Sequence, residues 1–206
     1  MSPELVLAFF DGLGIFVFGL SGGLMAVRRE FDILGVIIIS FLPAIGGGTL
    51  RDLLLGQPVF WLTDTYILWL PTLAGILAFI SPDRLSRLQS LKWIDAAGLA
   101  LFAVVGTSKA MELGYDASIC ILMGTITAAA GGVIRDVVCN VTPLLLRKDI
   151  YATPAIIGAA IFFITKSMGL SDIVSLSLGA IICFTIRVTA LHFGWNLPIT
   201  KRSSQE

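Results

Sequence analysis

Three stretches of this chain, Ile33–Leu50, Thr65–Pro82 and Ala117–Ile134, each run 18 residues without an acidic or basic side chain. A helix climbs about 1.5 Å per residue and a bilayer core is about 30 Å thick, so such stretches suit hydrocarbon. A water-soluble domain has no place for three of them. The rest of the chain agrees, with 56% hydrophobic and only 14% charged residues and a mean hydropathy of +0.93. Soluble domains carry about 25% charged residues. This composition excludes a soluble enzyme and a disordered tail. The 14 basic residues are balanced by 14 acidic ones, so no basic surplus is left for nucleic acid. The expected class is an all-α integral membrane protein.

Seven transmembrane helices are expected, at roughly 5–27, 33–50 with an extension toward 57, 66–81, 94–111, 117–139, 151–167 and 172–191. At roughly 20 residues each they use most of the chain, which makes 1–206 a single transmembrane domain. Met1-Ser2-Pro3-Glu4 lacks a basic n-region, so the first apolar run reads as a retained helix rather than a signal peptide. The 21 glycines suit membrane helices that approach closely. Cys120, Cys139 and Cys183 share no CxxC spacing and read as small apolar packing residues. His192, at the end of the last run, reads as an interfacial side chain, with a pH sensor as the alternative.

The chain repeats itself. Shifted by 84 residues, 11–58 aligns without a gap on 95–142, giving 12 identities over 48 positions. They include Asp11/Asp95, Gly14/Gly98, Phe18/Phe102, Gly22/Gly106, Asp32/Asp116, Gly47/Gly131, Gly48/Gly132, Arg51/Arg135 and Asp52/Asp136. After a one-residue deletion come Pro71/Pro154, Gly75/Gly158 and Phe79/Phe162. Chance matching of apolar residues does not produce a shared Gly-Gly-x-x-Arg-Asp at the same offset as Asp11/Asp95. Repeat one covers about 5–81 and repeat two about 94–167, with the seventh helix, about 172–191, outside both. Each repeat holds three spans, an odd number, so the second copy is expected to be inverted in the membrane.

Basic residues set the orientation. Arg28, Arg29, Arg84, Arg87, Lys92, Arg147, Lys148, Lys201 and Arg202 gather on one side, against Lys109 and Lys166 on the other. Arg51 and Arg135 are set aside as intramembrane residues and Arg187 as near-terminal. The N-terminus is therefore expected outside and the C-terminus in the cytoplasm.

The chemistry is concentrated in Gly46-Gly47-Gly48-Thr49-Leu50-Arg51-Asp52 and its counterpart Ala130-Gly131-Gly132-Val133-Ile134-Arg135-Asp136. Consecutive glycines weaken a helix by about 1 kcal/mol each. A break there would free carbonyl oxygens able to line a cation path, since irregular backbone at membrane depth must face protein or a wet cavity. Close packing through small residues accounts for the same glycines. Neighbours on a helix point about 100° apart, so an inverted two-fold is expected to pair Arg51 with Asp136 and Arg135 with Asp52. Terminal snorkelling of both arginines is the alternative. Asp11 and Asp95 are candidates for opposite vestibules or for helix N-caps. Lys109 is a candidate gate, with snorkelling to the interface as its other reading.

Other patterns carry nothing. Gly12-x-Gly14 is no dinucleotide fingerprint, and there is no Walker motif, HExxH or nucleophile elbow. Asn140-Val141-Thr142 has sequon form, but Pro143 follows it on the expected cytoplasmic side. No enzyme activity, cofactor or resident metal is expected.

Two Gly-Gly-x-x-Arg-Asp segments on the second and fifth of seven spans, within paired three-helix repeats, resemble the trimeric intracellular cation (TRIC) channels. The likeness is to the bacterial branch, whose members are also labelled uncharacterised or glycine-transporter membrane proteins, and it covers about 5–195. The resemblance implies a homotrimer in the bacterial inner membrane, each protomer with its own potassium- and sodium-permeable pore between glycine-kinked helices 2 and 5. It carries over to Gly46, Gly47, Gly48, Gly131 and Gly132, and to the Arg-Asp pairs. The Lys-Glu-Val signature of animal members is absent; Asp95-Ala96-Ala97 stands at the comparable stretch. The first functional expectation is a monovalent-cation channel. The second is a secondary transporter of glycine or another small solute, because inverted repeats with broken helices are common in transporters.

Overall fold

The computed structural model describes residues 3–80, 88–147 and 150–197. All but short connections are helical. The α-helices are α1 (Pro3–Arg28), α2 (Ile33–Leu54), α3 (Phe60–Thr63), α4 (Trp69–Ile80), α5 (Leu88–Glu112), α6 (Ala117–Val138), α7 (Ala152–Ser167) and α8 (Asp172–Phe193). Five of them, α1, α2, α5, α6 and α8, are long and apolar enough to cross a membrane. The stretches Thr65–Ile80 and Ala152–Ser167 are shorter apolar helices. At 16 residues the latter is about 24 Å long. The fourth apolar helix begins at Leu88, several residues before the expected 94, because Leu91 already joins the core. Among the residues expected to set orientation, Arg84, Arg87, Lys148, Lys201 and Arg202 lie outside the described residues.

The polarity of the molecule is reversed relative to a soluble protein. Large apolar side chains such as Phe9, Leu34, Leu53, Trp69, Ile80 and Ile181 point outward and are more than half exposed. Arg51, Asp52, Asp95, Arg135, Asp136 and Arg187 are buried. That arrangement is stable only where the surroundings are hydrocarbon and every inner charge finds partners.

The helices of the two sequence repeats end alike. α2 and α6 begin 84 residues apart and end 84 residues apart. After α2, the Leu55 amide returns to the Arg51 carbonyl (3.0 Å) and the Gln57 amide to that of Asp52 (2.8 Å). After α6, Cys139 returns to Arg135 (2.9 Å) and Val141 to Asp136 (2.9 Å). Both turns need one residue in the left-handed region. Gly56 supplies it at φ 63° and Asn140 at φ 52°, these being the two residue types that tolerate it best. Asn140 is thus a turn residue, its carbonyl held by Arg29 (3.0 Å).

Glycines bring the helices together in reciprocal pairs. On α1 and α5, a side chain at Gly14 would meet the Phe102 ring, and one at Gly98 would meet Phe18. Phe18 and Phe102 stack edge to face with centroids 5.2 Å apart. On α2 and α6, Gly47 lies against the Thr127 carbonyl while Gly131 lies against that of Pro43, 2.5 Å from where its Cβ would sit. Pro43 and Thr127 are themselves 84 residues apart. α8 packs on α5 and α7, with Gly158 and Gly179 backbone to backbone. Cys120, Cys139 and Cys183 are buried free thiols.

Candidate functional site

The break expected at the glycines is absent: α2 is helical through Gly46, Gly47 and Gly48, and α6 through Gly131 and Gly132. The glycines are where the two helices cross. Gly46 faces the tip of Ile134, Gly47 and Gly131 face opposing carbonyls, Gly48 faces the Phe60 ring and Gly132 the Tyr151 hydroxyl. Thr49 bonds to the Ile45 carbonyl (2.8 Å) and accepts from the Trp61 indole N–H (2.9 Å), so Trp61 is anchored over the glycine run.

The cross-pairing expected of the arginines is also corrected. Each Arg binds the Asp beside it. Arg51 Nε donates to Asp52 Oδ1 at 2.8 Å, and Nη2 lies 2.7 Å from the same oxygen as an ion-pair contact. Arg135 Nε and Nη2 donate to Asp136 Oδ1 at 2.9 and 2.7 Å. Two long χ chains at the last helical turn bend round the 100° between neighbours more cheaply than two helix ends could be brought together across the bundle. The other Asp oxygen fastens the following loop: Asp52 Oδ2 accepts from the Phe60 amide (3.0 Å) and Asp136 Oδ2 from the Leu144 amide (2.9 Å). Each Arg-Asp pair is therefore a clasp between a helix end and the chain eight residues on. Neither arginine snorkels, Arg51 being 1% and Arg135 0% exposed.

Around the two clasps the surroundings differ. Arg135 Nη1 also donates to Asp95 Oδ1 (2.7 Å) and to the Ser21 hydroxyl, joining α6 to α5 and α1. Asp95 is fully buried in this ion pair, in neither a vestibule nor a cap position, since α5 starts seven residues before it. Asp11, its counterpart, lies on α1 well past the helix start and faces Lys109 Nζ at 3.8 Å. That ammonium also stands 5.4 Å from the centroid of Phe60, whose ring is 5.8 Å from the Arg51 guanidinium. Cavities flank Lys109 on both sides. One of about 370 Å³ is bounded by Asp52, Gln57, Phe60, Thr63, Lys109 and Glu112. The other, about 360 Å³, is bounded by Glu4, Asp11, Ser108, Lys109, Glu112 and Asp172. Four carboxylates against one ammonium in the latter make it attractive to cations. Lys166 is held by Asp172 at 2.6 Å.

Sequence reasoning missed Phe60, Ser21 and Tyr151, and it set Arg187 aside as near-terminal. Arg187 is fully buried, with Nη1 on the Ile150 carbonyl (2.6 Å) and its guanidinium 5.0 Å from the Tyr151 ring. A charge eight residues before the last helix ends carried the signal; a serine or tyrosine in apolar sequence carries almost none. His192 is exposed in the last turn of α8. No group of three or more metal-binding side chains gathers among the described residues.

Comparison with known proteins places this architecture. A family model described as "Glycine transporter" matches twice, at residues 8–82 and 92–167. A UPF0126 membrane protein of Vibrio cholerae is 39% identical over 198 residues, 94% of this chain and 82% of that protein. The UPF0126 inner membrane protein YadS of Escherichia coli is 35% identical over 195 residues, 91% of this chain and 93% of its own length. Among solved structures, the TRIC trimeric intracellular cation channel orthologue from Rhodobacter sphaeroides superposes with a TM-score of 0.88 at 36% identity, covering 92% of this chain and 99% of that one. A prokaryotic TRIC channel solved in 0.5 M KCl gives 0.85 at 30% identity over 94% and 100%. A Caenorhabditis elegans TRIC channel, at 18% identity and TM-score 0.58, shares the fold. These structural neighbours are ion channels, not enzymes.

Proposed function

Because the chain belongs to the TRIC family, in the bacterial branch that the glycine-transporter family model describes, we propose that it is a potassium-permeable monovalent-cation channel of the inner membrane. It works as a homotrimer with one path per protomer, between α2 and α6. The observation that carries this reading is the close likeness to solved TRIC cation channels along almost their whole length. The site geometry gives the likeness a mechanism.

Seven helices cross the bilayer, α1, α2, α4, α5, α6, α7 and α8, in two inverted repeats of about 5–81 and 94–167 with α8 outside them. The reciprocal contacts support the inversion: where residue i of one copy touches j of the other, and j's counterpart touches i's, a local two-fold relates them. Gly47 with Thr127 and Gly131 with Pro43 meet that condition, as do Gly14 with Phe102 and Gly98 with Phe18. The N-terminus lies outside and the C-terminus inside, as the basic residues Arg28, Arg29 and Arg147 require. Asp11, Asp52, Lys109 and Glu112 then form the outer mouth, and Asp95, Arg135, Asp136 and Arg187 the inner end.

Cations collect in the outer cavities, drawn by Glu4, Asp11, Glu112 and Asp172. Lys109 stands between the two cavities as a tethered cation resting on Asp11 and the Phe60 face, and excludes a free ion of the same sign. Displacing it opens the mouth. Farther in, separation of α2 from α6 at Gly46, Gly47, Gly131 and Gly132 exposes the Pro43 and Thr127 carbonyls to the ion. Arg51 and Arg135 hold the ends of these helices while the crossing opens. Transport of glycine or another small solute is the second reading, favoured by the description of the matching family.

The deciding experiment is single-channel recording of purified protein in a planar bilayer with a potassium gradient. Unitary currents that reverse near the potassium potential are expected. Electrical silence together with saturable glycine uptake in proteoliposomes would replace the channel by the transporter.

A further inference from the structure

The inner end holds more polar chemistry than the Arg135 clasp uses. We propose that Arg187, Tyr151 and Asp95 form a buried binding site for a small zwitterion that bears a carboxylate. The inference deepens the small-solute reading and rests on it only for the claim that the ligand is carried across; binding itself stands on the following geometry.

Arg187 is 0% exposed, and only Nη1 has a hydrogen-bond acceptor, the Ile150 carbonyl at 2.6 Å. Its Nε and Nη2 have no partner among the described residues. Those two nitrogens share one edge of the guanidinium, the flat two-donor fork that matches both oxygens of a carboxylate. A buried guanidinium without a counter-ion costs several kcal/mol, so an open edge at full burial calls for an anionic group. The ring of Tyr151 lies beneath this guanidinium, 5.0 Å from it, and fixes its plane.

The same tyrosine leads to an unmet acceptor. Tyr151 Oη has no hydrogen-bond partner, and it lies 2.7 Å from where a Gly132 side chain would begin. Asp95 Oδ1, spent on Arg135, is 3.5 Å from that point, while Asp95 Oδ2 is buried and unpartnered. Gly132 thus borders both the phenol and the carboxylate. Two free donors, one free acceptor and a hydroxyl able to act as either are the complement of a molecule that carries a carboxylate and an ammonium. Charge selects the same class. Arg135 and Arg187 balance Asp95 and Asp136, so a ligand with no net charge leaves the inner end neutral, whereas a simple anion or cation would not. The site is separate from the outer cavities around Lys109, and neither shares a residue with the other.

The test is equilibrium binding to the full-length protein in lipid nanodiscs, with glycine, acetate and methylamine as probes and potassium conductance read on the same preparation. Saturable glycine binding is expected, with acetate weaker by about tenfold for want of the Asp95 contact and methylamine not detectable. Arg187→Lys keeps the charge but removes the fork, and is expected to weaken glycine by at least about tenfold. Tyr151→Phe keeps the ring and weakens it a few-fold, and it serves where Arg187→Lys fails to fold. Conducting protein that binds none of the three probes overturns the site and leaves the channel intact. Glycine binding unaffected by either variant overturns the residue assignment. Acetate binding as tightly as glycine overturns the zwitterion.

Discussion

Repeats one and two contain the same Arg-Asp clasp, and the two clasps live in different worlds. At α2 the Arg51–Asp52 pair borders an open cavity and shares the Phe60 ring with Lys109. At α6 the Arg135–Asp136 pair is sealed and adds Asp95 and Ser21. The difference comes from two substitutions between the copies. Where repeat two has Lys109, repeat one has Met25; where repeat one has Ser21, repeat two has Val105. The lysine draws Asp11 toward the outer mouth, and the serine completes a locked inner knot. Duplication supplies a symmetric frame, and a few side chains decide which end moves.

The largest way to break this comparison is at the knot. Arg135→Gln strands Asp95 and Asp136 as unpaired buried carboxylates and should cost about 3–5 kcal/mol, whereas Arg51→Gln, next to a wet cavity, should cost about half as much or less. Thermal unfolding of both variants in detergent checks the order, and equal losses would mean the two ends are equally sealed. Next come the crossing glycines. Gly47→Ala and Gly131→Ala each drive a methyl into an opposing carbonyl and should cost about 1–3 kcal/mol, nearly the same for both because the contact is reciprocal. A cost confined to one of them would dissolve the two-fold. Lys109→Met installs at the outer mouth the residue that repeat one carries at the matching position. Unitary potassium conductance or open probability should rise severalfold with little change in stability, and an unchanged current would remove the lysine from the gate. The smallest effect separates the helix starts. Asp32 caps α2 through the Gly35 amide at 2.7 Å, but Asp116 makes no such bond. Asp32→Ala should therefore lower stability by about 1 kcal/mol and Asp116→Ala by almost nothing, as urea titration would reveal.

The bilayer as solvent, the duplicated helices and the singled-out Arg, Asp and Gly positions were all legible in the chain, because scarce charge in apolar sequence is informative by itself. What the glycines do was not legible. Weak helix propensity at Gly46–Gly48 argues for a break, but propensity yields to packing when another helix crosses at that point, and Gly131 on Pro43 is that crossing. The partner of each arginine was misjudged for a related reason. Backbone direction was used to place groups that sit at the end of several rotatable bonds. Phe60, Ser21 and Tyr151 were invisible because a ring or hydroxyl acquires its role only from what the fold sets beside it. Asp95 shows the limit most clearly, since its sequence twin Asp11 has a different partner.

The Asp95–Arg135 pair also bears on how the protein enters the membrane. Each residue alone would cost a helix about 2.5–3.5 kcal/mol on insertion. They sit on consecutive helices, α5 and α6, joined by a four-residue connection. The two helices can leave the ribosome and cross into lipid as one hairpin, neutralised before either must face hydrocarbon with a bare charge. Ser21, on the first helix, needs no such escort and docks afterward. Order of synthesis and order of charge compensation coincide, so the half of the molecule with the most buried charge is the half able to insert as a self-sufficient unit.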